Sequence, residues 1–470
     1  MQWLLKNAFY AGCVALAVIA CIGLRVGYVT HYADYRTMFA APAGDADDFF
    51  GIAYTLKETG RYARPNNTET PKIKAALLHG EEINIVAGGA DAWRPPAWTF
   101  MLALILKFSG GNVFLIYMYR FIMDGVTVVI FSFILSPFPW RMPVKILCLF
   151  LFALHPTWLL YSSTFLSEPL TLLVLLLSIL IFQKLADGRR CKVLAVCFGG
   201  FTIGISIFAH SFYLLFPFLT AGFLFQSRHL SFRRAVMVIV FATIPALVWS
   251  LRNMVVFQSG MPLLSTSAGS TISRAYTDTF LGMYRNNDEV RVQDPVPPEG
   301  LTVVQCNQWR LNYTRDYALS HWRLLPAMFT RKLVGACTPF PEEYRAGILE
   351  NGRTVMQLLT FLPTLWVLFA GLRIPGYPRS FSAPPLTEEP EDAKTFQVFA
   401  WTMRGLFGGY VLMAMAGWIV IRYRAPLIGA EILCFGWAVQ VALRWLLPTA
   451  SCSAYQLMIR LARTKLRLSP

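Results

Sequence analysis

Charge is scarce in this 470-residue chain: Asp, Glu, Lys and Arg together make up 14% of it. Carboxylates are scarcer still, at 26 against 42 basic residues, for a formal net charge of +16. The nine cysteines never form a Cys-x-x-Cys pair, which removes the usual zinc and thiol-redox spacings. No internal repeat is visible, and no small-residue cleavage site precedes Arg25, so the opening apolar run reads as a first span and not as a signal peptide. What is abundant is hydrophobic surface: 56% of residues are apolar and the mean hydropathy is +0.49. Several apolar runs approach the ~20 residues that cross a bilayer. The expected class is an all-α polytopic membrane protein. The positive charge then needs no nucleic-acid partner, provided the basic residues sit in alternate loops.

They do. Apolar segments near 8–27, 113–135, 144–160, 165–182, 193–209, 212–225, 235–251, 355–372, 398–421 and 427–447 suggest about ten transmembrane helices. The short loops after the second, fourth and sixth are basic, as is the tail, which places them and both termini on the cytoplasmic side. The acidic end of the 374–394 linker is an exception. Residues 29–93 carry nine Asp/Glu and six Lys/Arg and form an acidic outer loop. The stretch from Pro96 to Phe108 is apolar, but as a helix it covers only about 20 Å of a ~30 Å hydrocarbon core. It is expected to lie along the membrane on the outer side. The chain divides into a transmembrane module over 1–256 with its first outer loop at 28–111, a long outer loop at 257–353, and C-terminal helices with a basic tail at 354–470.

Polar residues collect on the outer face. Gly44-Asp45-Ala46-Asp47-Asp48 puts three carboxylates in four positions, where like charges resist ionising together. Such a group is a candidate general base, although Gly and Asp also build plain solvated turns. His155, Glu168, His210, Arg252 and Asn253 stand at span ends on the same side, with Arg94 in the first loop. Taken singly, each has an ordinary structural role: the histidines as satisfied core residues, Glu168 beside a helix dipole, Arg252 snorkelling. Arg422-Tyr423-Arg424 lies in a short outer hairpin against the positive-inside bias, so an anion is the natural compensation. Arg94, Arg252, Arg422 and Arg424 suit a phosphate, and a nearby carboxylate suits deprotonation of a hydroxyl. A lipid-linked phosphosugar meets both needs, with its tail in the bilayer and its sugar outside.

Gly44-Asp45 with Phe49, Ala53, Leu56 and Gly60 opens a series of short motifs. Arg94-Pro95-Pro96-Ala97-Trp98 follows, then His155-Pro156, Ser167-Glu168-Pro169-Leu170, Trp249-Ser250-Leu251-Arg252-Asn253 and Arg422-Tyr423-Arg424-Ala425-Pro426. In this order the chain resembles the GT-C superfamily of integral-membrane glycosyltransferases. It is most similar to the bacterial branch related to dolichyl-phosphate-mannose–protein mannosyltransferases and the lipid A aminoarabinose transferase. The resemblance implies juxtamembrane helices in the first outer loop and a polyprenyl-phosphate sugar donor. It also implies inverting transfer to a glycan, lipid or protein acceptor outside a bacterial inner (plasma) membrane. Asp45 matches the catalytic aspartate, with Asp48 and Glu168 in support. Arg94, His155, His210, Arg252, Asn253, Arg422, Tyr423 and Arg424 are the expected substrate-binding residues. The family often has Tyr at Phe49 and Arg-Pro at His210-Ser211. No cofactor is required, because arginines alone can stabilise a phosphate leaving group, although a divalent metal is compatible.

Two other classes fit the pattern. A transporter or flippase of polyprenyl-linked glycans needs charge through the bilayer's depth, and Arg120, Asp124, Glu431 and Arg444 keep that alternative open. A non-catalytic membrane scaffold is the third. On this topology only Cys306 and Cys337 lie outside, and a disulfide between them is expected.

Overall fold

The computed structural model describes residues 2–40, 44–65, 69–81, 85–187, 193–259, 265–274, 276, 295–337, 348–369, 390–416 and 426–446. Among the described residues the regular structure is helical apart from one two-stranded sheet. Helix α1 (Gln2–Gly27) runs into a π-helical turn at Tyr28–Tyr32. Beyond it lie α2 (Tyr35–Ala40), α3 (Asp45–Thr59), strand β1 (Ala63–Pro65), α4 (Glu69–His79), β2 (Ala87–Ala90) and α5 (Pro96–Phe108). The helices α6 (Val113–Leu135), α7 (Met142–Ala153), α8 (Pro156–Ser162) and α9 (Glu168–Asp187) come next. They are followed by α10 (Val193–Ala209), α11 (Phe216–Gln226) and α12 (Phe232–Phe257). The 257–353 segment contributes α13 (Ala268–Ser273) and helices Val303–Ser320 and Leu325–Cys337, and three further helices follow: Ile348–Phe369, Pro390–Ala416 and Ile428–Leu446.

Five of the described helices are long and apolar enough to cross a membrane: Asn7–Tyr32, Val113–Leu135, Met142–Ser162, Glu168–Ala186 and Phe232–Phe257. The expectation of ten is therefore met only in part. Val193–Ala209 and Ser211–Gln226 are apolar but shorter, and the helices Ile348–Phe369 and Ile428–Leu446 carry apolar stretches over Val355–Phe369 and Ile428–Leu443. For the sixth run the reason is local. A hydropathy run does not register where a helix breaks, and a 3-10 turn at Ser211–Tyr213 takes up the start of the sixth run. Residues 417–421, at the end of the ninth, lie outside the described residues.

Apolar residues pack into two main bodies. One joins α6, α7, α9 and α10 to the C-terminal helices around Phe131, Phe138, Phe152, Met403 and Trp437. The other lies under the 28–111 segment and gathers Phe39, Phe50, Trp98, Tyr117 and Phe165. The most extensive helix contact among the described residues is between α10 and α12. A Cβ on Gly204 would come within 2.4 Å of the Ala242 carbonyl oxygen, and one on Gly200 within 2.9 Å of the Val238 carbonyl oxygen. Small residues one turn apart let two backbones touch, a common basis of helix association in lipid. Gly204→Val is expected to destabilise the fold by about 1–3 kcal/mol. Thermal melting of the detergent-solubilised protein checks this; an unchanged midpoint would show that the helices re-space freely.

Helix α5 has two apolar faces. Trp98, Leu102 and Leu106 are fully buried, whereas Phe100, Leu104 and Phe108, four residues apart, are exposed. A 13-residue helix with that outer stripe suits the membrane boundary, as its length requires. Ser109, just after α5, is buried and its hydroxyl donates to the Leu106 carbonyl at 3.1 Å, so it is a poor reporter of side. Lys107 is exposed. Lys107→Cys is expected to react with a membrane-impermeant maleimide in intact cells; reaction only after permeabilisation would invert the topology.

Candidate active site

The site is built where α3 begins. Gly44 has φ +51°, a left-handed conformation that glycine adopts without steric cost, and it turns the chain into the helix. Asp45, Asp47 and Asp48 then occupy the first turn, where the helix dipole favours negative charge. The crowding is relieved by giving each carboxylate a cation. Arg94 Nη2 donates to Asp45 Oδ1 and, at 2.7 Å, to Asp48 Oδ2, and its Nε reaches the same oxygen at 3.1 Å. Arg64 Nη2 lies 3.4 Å from Asp48 Oδ2. Asp47 turns away and pairs with Lys74 of α4. One guanidinium thus bridges Asp45 and Asp48, while Asp47 serves the packing of α4.

Arg94 is presented by a loop whose carbonyls are individually held. The Asp91 carbonyl accepts from Arg252 Nη1 at 2.8 Å, and that of Ala92 from the Thr266 amide at 2.9 Å. The Trp93 carbonyl accepts from Ser265 Oγ at 2.9 Å, and that of Arg94 from the Tyr62 hydroxyl at 3.0 Å. Burial pushes the Tyr62 phenol above its ordinary pKa and keeps it a donor. The Asp91 side chain accepts from Arg64 Nε and from the Trp93 amide. Strands β1 and β2 pair Ala63 with Ala90 and so carry Arg64 to Asp91. Pro96 then starts α5 with a preset φ.

Several expected site residues are therefore together: Asp45, Asp48 and Arg94 in direct contact, with Arg252 and Asn253 one loop away. Arg252 sits at the upper end of α12. It donates to Asn253 Oδ1 at 2.8 Å and to the Tyr62 carbonyl at 3.3 Å, and its guanidinium lies 4.8 Å from the Trp249 ring. It acts as a clamp on the loop that carries Arg94. Asp91, Arg64, Tyr62 and Ser265 were not singled out from sequence. Two strands of three and four residues are too short to show a periodicity, and Asp91 and Arg64 are far apart in the chain.

The other expected residues have separate placements. His155 caps α8 and His210 caps the 3-10 turn, each accepting a backbone amide on Nδ1, at 3.2 and 3.3 Å. Glu168 opens α9, is 3% exposed and acts electrostatically on Arg120. The turn before it reaches the underside of α3, where the Phe165 ring lies 5.7 Å from that of Phe50 and its carbonyl accepts from Trp98 Nε1. Arg422, Tyr423 and Arg424 lie outside the described residues.

Beneath the site, Arg25 and Asp124 form a fully buried ion pair at 2.8 Å. Arg25 Nε also donates to Ser162 Oγ at 3.0 Å and Nη1 to the Cys21 carbonyl at 2.9 Å, and Trp158 Nε1 donates to Asp124 at 3.1 Å. Asp124 is thus matched within the helix bundle. Arg120 lies over the Trp98 ring at 4.5 Å, and Glu431 faces the Thr360 hydroxyl at 3.5 Å. The side chain of Arg444 lies outside the described residues. Of the expected disulfide, Cys306 is a free thiol whose sulfur lies 3.7 Å from the Leu301 carbonyl oxygen, on a helix whose N-terminal cap at Thr302 fixes its direction, and the side chain of Cys337 lies outside the described residues.

No family model matches the chain, and no curated protein matches it. Among solved structures, the chain is similar to the crystal structure of ArnT from Cupriavidus metallidurans bound to undecaprenyl phosphate. That match covers 91% of this chain and 78% of the other, with 11% identity and a TM-score of 0.34.

Proposed function

We propose that the chain is a membrane glycosyltransferase. In this reading it moves a hexosyl or pentosyl unit from a polyprenyl-phosphate donor to an acceptor hydroxyl at the outer face of a bacterial inner membrane, with both termini cytoplasmic. The observation that carries it is the pair of carboxylates, Asp45 and Asp48, bridged by Arg94 beside helix α5. Both halves of the chemistry then sit within one side chain's reach. Asp45 takes the proton from the acceptor hydroxyl, whose oxygen attacks the anomeric carbon as the bond to the phosphate oxygen breaks. The electron pair leaves with the polyprenyl phosphate, and the anomeric centre inverts. Arg94 stabilises the charge that develops on the phosphate, since a guanidinium recognises phosphate and carboxylate oxygens by the same fork. The four held carbonyls of residues 91–94 fix that fork before reaction, which is how fixed dipoles gain their effect. Asp48 holds Arg94 when Asp45 is engaged with the acceptor, and Glu168 supports the layer below.

Purified full-length protein, reconstituted with a panel of labelled polyprenyl-phosphate sugars and cell-envelope acceptors, tests this. Release of polyprenyl phosphate is expected from at least one donor and is expected to be lost in Arg94→Ala. Arg94-independent release, or none from any donor, would overturn it.

A further inference from the structure

A cavity lies at the opposite end of α3 from Asp45. It encloses about 690 Å³, within the about 300–1,000 Å³ typical of small-molecule sites. Its walls come from α2, the ends of α3 and α4, and the turn between α5 and α6. Tyr35, Arg36, Lys57, Glu58, His79 and Glu81 line it. From Asp45 to Lys57 is twelve residues of helix, or about 18 Å.

The lining chemistry is specific in what it refuses. Arg36 and Lys57 are opposed by Glu58 and Glu81, so formal charge cancels and a multiply charged anion gains no net field. An apolar tail would strand these charged groups without water. What remains is a neutral ligand that both donates and accepts hydrogen bonds at closely spaced points and has an apolar face. Carboxylates accept, guanidinium and ammonium donate, and rings supply the apolar contact. Two of the cations are held in place by those rings and their neighbours. Lys57 Nζ lies 5.0 Å from the Tyr54 ring and 2.5 Å from Glu58 Oε1, and Arg36 Nε donates to the Tyr35 hydroxyl at 3.3 Å. The Tyr35 ring stands edge-on to Phe114, with centroids 5.8 Å apart.

We infer that this cavity is a binding site for a neutral oligosaccharide, distinct from the Asp45 centre. Resting on the transferase reading, it serves as the subsite that holds an acceptor glycan while its terminal hydroxyl reaches Asp45. The separation suits an extended chain of several sugar units and does not suit a monosaccharide.

Isothermal titration of the full-length protein in detergent, with neutral di- to tetrasaccharides, a sugar monophosphate and inorganic phosphate, tests the site. At least one neutral oligosaccharide is expected to bind saturably. Its affinity is expected to fall at least ~10-fold in the Arg36→Ala, Glu58→Ala double variant and in Glu81→Ala, and to hold in Asp45→Asn. Melting midpoints of the variants report folding. The inference falls if no neutral oligosaccharide binds, if inorganic phosphate competes for the site, or if binding survives both cavity variants. Loss of transfer without loss of sugar binding in Asp45→Asn bears on the transferase reading and leaves this site standing.

Discussion

Asp45→Asn is expected to lower the turnover of sugar transfer by about 10²–10⁴-fold, the usual contribution of a positioned general base. Expression and donor binding are expected to stay near those of the native protein. The structure explains why the two effects separate. Asn keeps the size of Asp and its hydrogen-bonding oxygen, but it cannot take a proton. Arg94 stays in place because Asp48 Oδ2 still accepts from its Nη2 at 2.7 Å and its Nε at 3.1 Å. The loss therefore belongs in kcat, with the donor's KM little changed. Asp48→Asn is the informative companion. Asp48 meets both Arg94 and Arg64, so its neutralisation loosens two cations and is expected to raise the donor's KM more than it lowers kcat. Near-normal turnover in Asp45→Asn together with collapse in Asp48→Asn would move the base to Asp48. Steady-state kinetics on both variants with one labelled donor decides between them.

Asp124→Ala is expected to be the most destabilising single change, at about 3–5 kcal/mol. Arg25 and Asp124 are 1% and 0% exposed, and both lie on helices long enough to cross the membrane. Removing the carboxylate leaves the guanidinium charged among apolar neighbours, with hydrogen bonds only to carbonyls and a hydroxyl. It also leaves Trp158 Nε1 without its acceptor. The penalty arises from the orphaned charge more than from the loss of the pair itself. Arg25→Met combined with Asp124→Leu is therefore expected to recover most of the stability. Denaturant unfolding in detergent for Arg25→Met, Asp124→Leu and the double variant forms the cycle. A double variant as unstable as Asp124→Ala would show that hydrogen bonding to Ser162, Cys21 and Trp158 outweighs the charge balance. The same pairing bears on transport, since an intramembrane Asp already matched by Arg25 has a structural explanation.

The sequence by itself determined the membrane class, marked residues 96–108 as an apolar helix too short to span, and singled out Asp45, Asp48 and Arg94 as a charge cluster. Those features follow from local quantities. Apolar run length is measured against a bilayer of known thickness, and charge scarcity makes three carboxylates in four positions conspicuous. Tertiary structure alone decided what each charge touches. Nothing near Arg64 or Asp91 in the chain relates them, because their contact depends on two short strands paired out of register with any hydropathy signal. Arg252 reads from sequence as a free cation for phosphate, yet its guanidinium is engaged by the Asp91 and Tyr62 carbonyls, whose position depends on how the outer loop folds back onto α12. Arg25 reads as the end of an apolar run until Asp124 is seen opposite it. Hydropathy reports how many apolar residues lie in a row; it does not report where a turn such as Ser211–Tyr213 or His155-Pro156 breaks the helix, nor which distant charge a fold brings within hydrogen-bond reach.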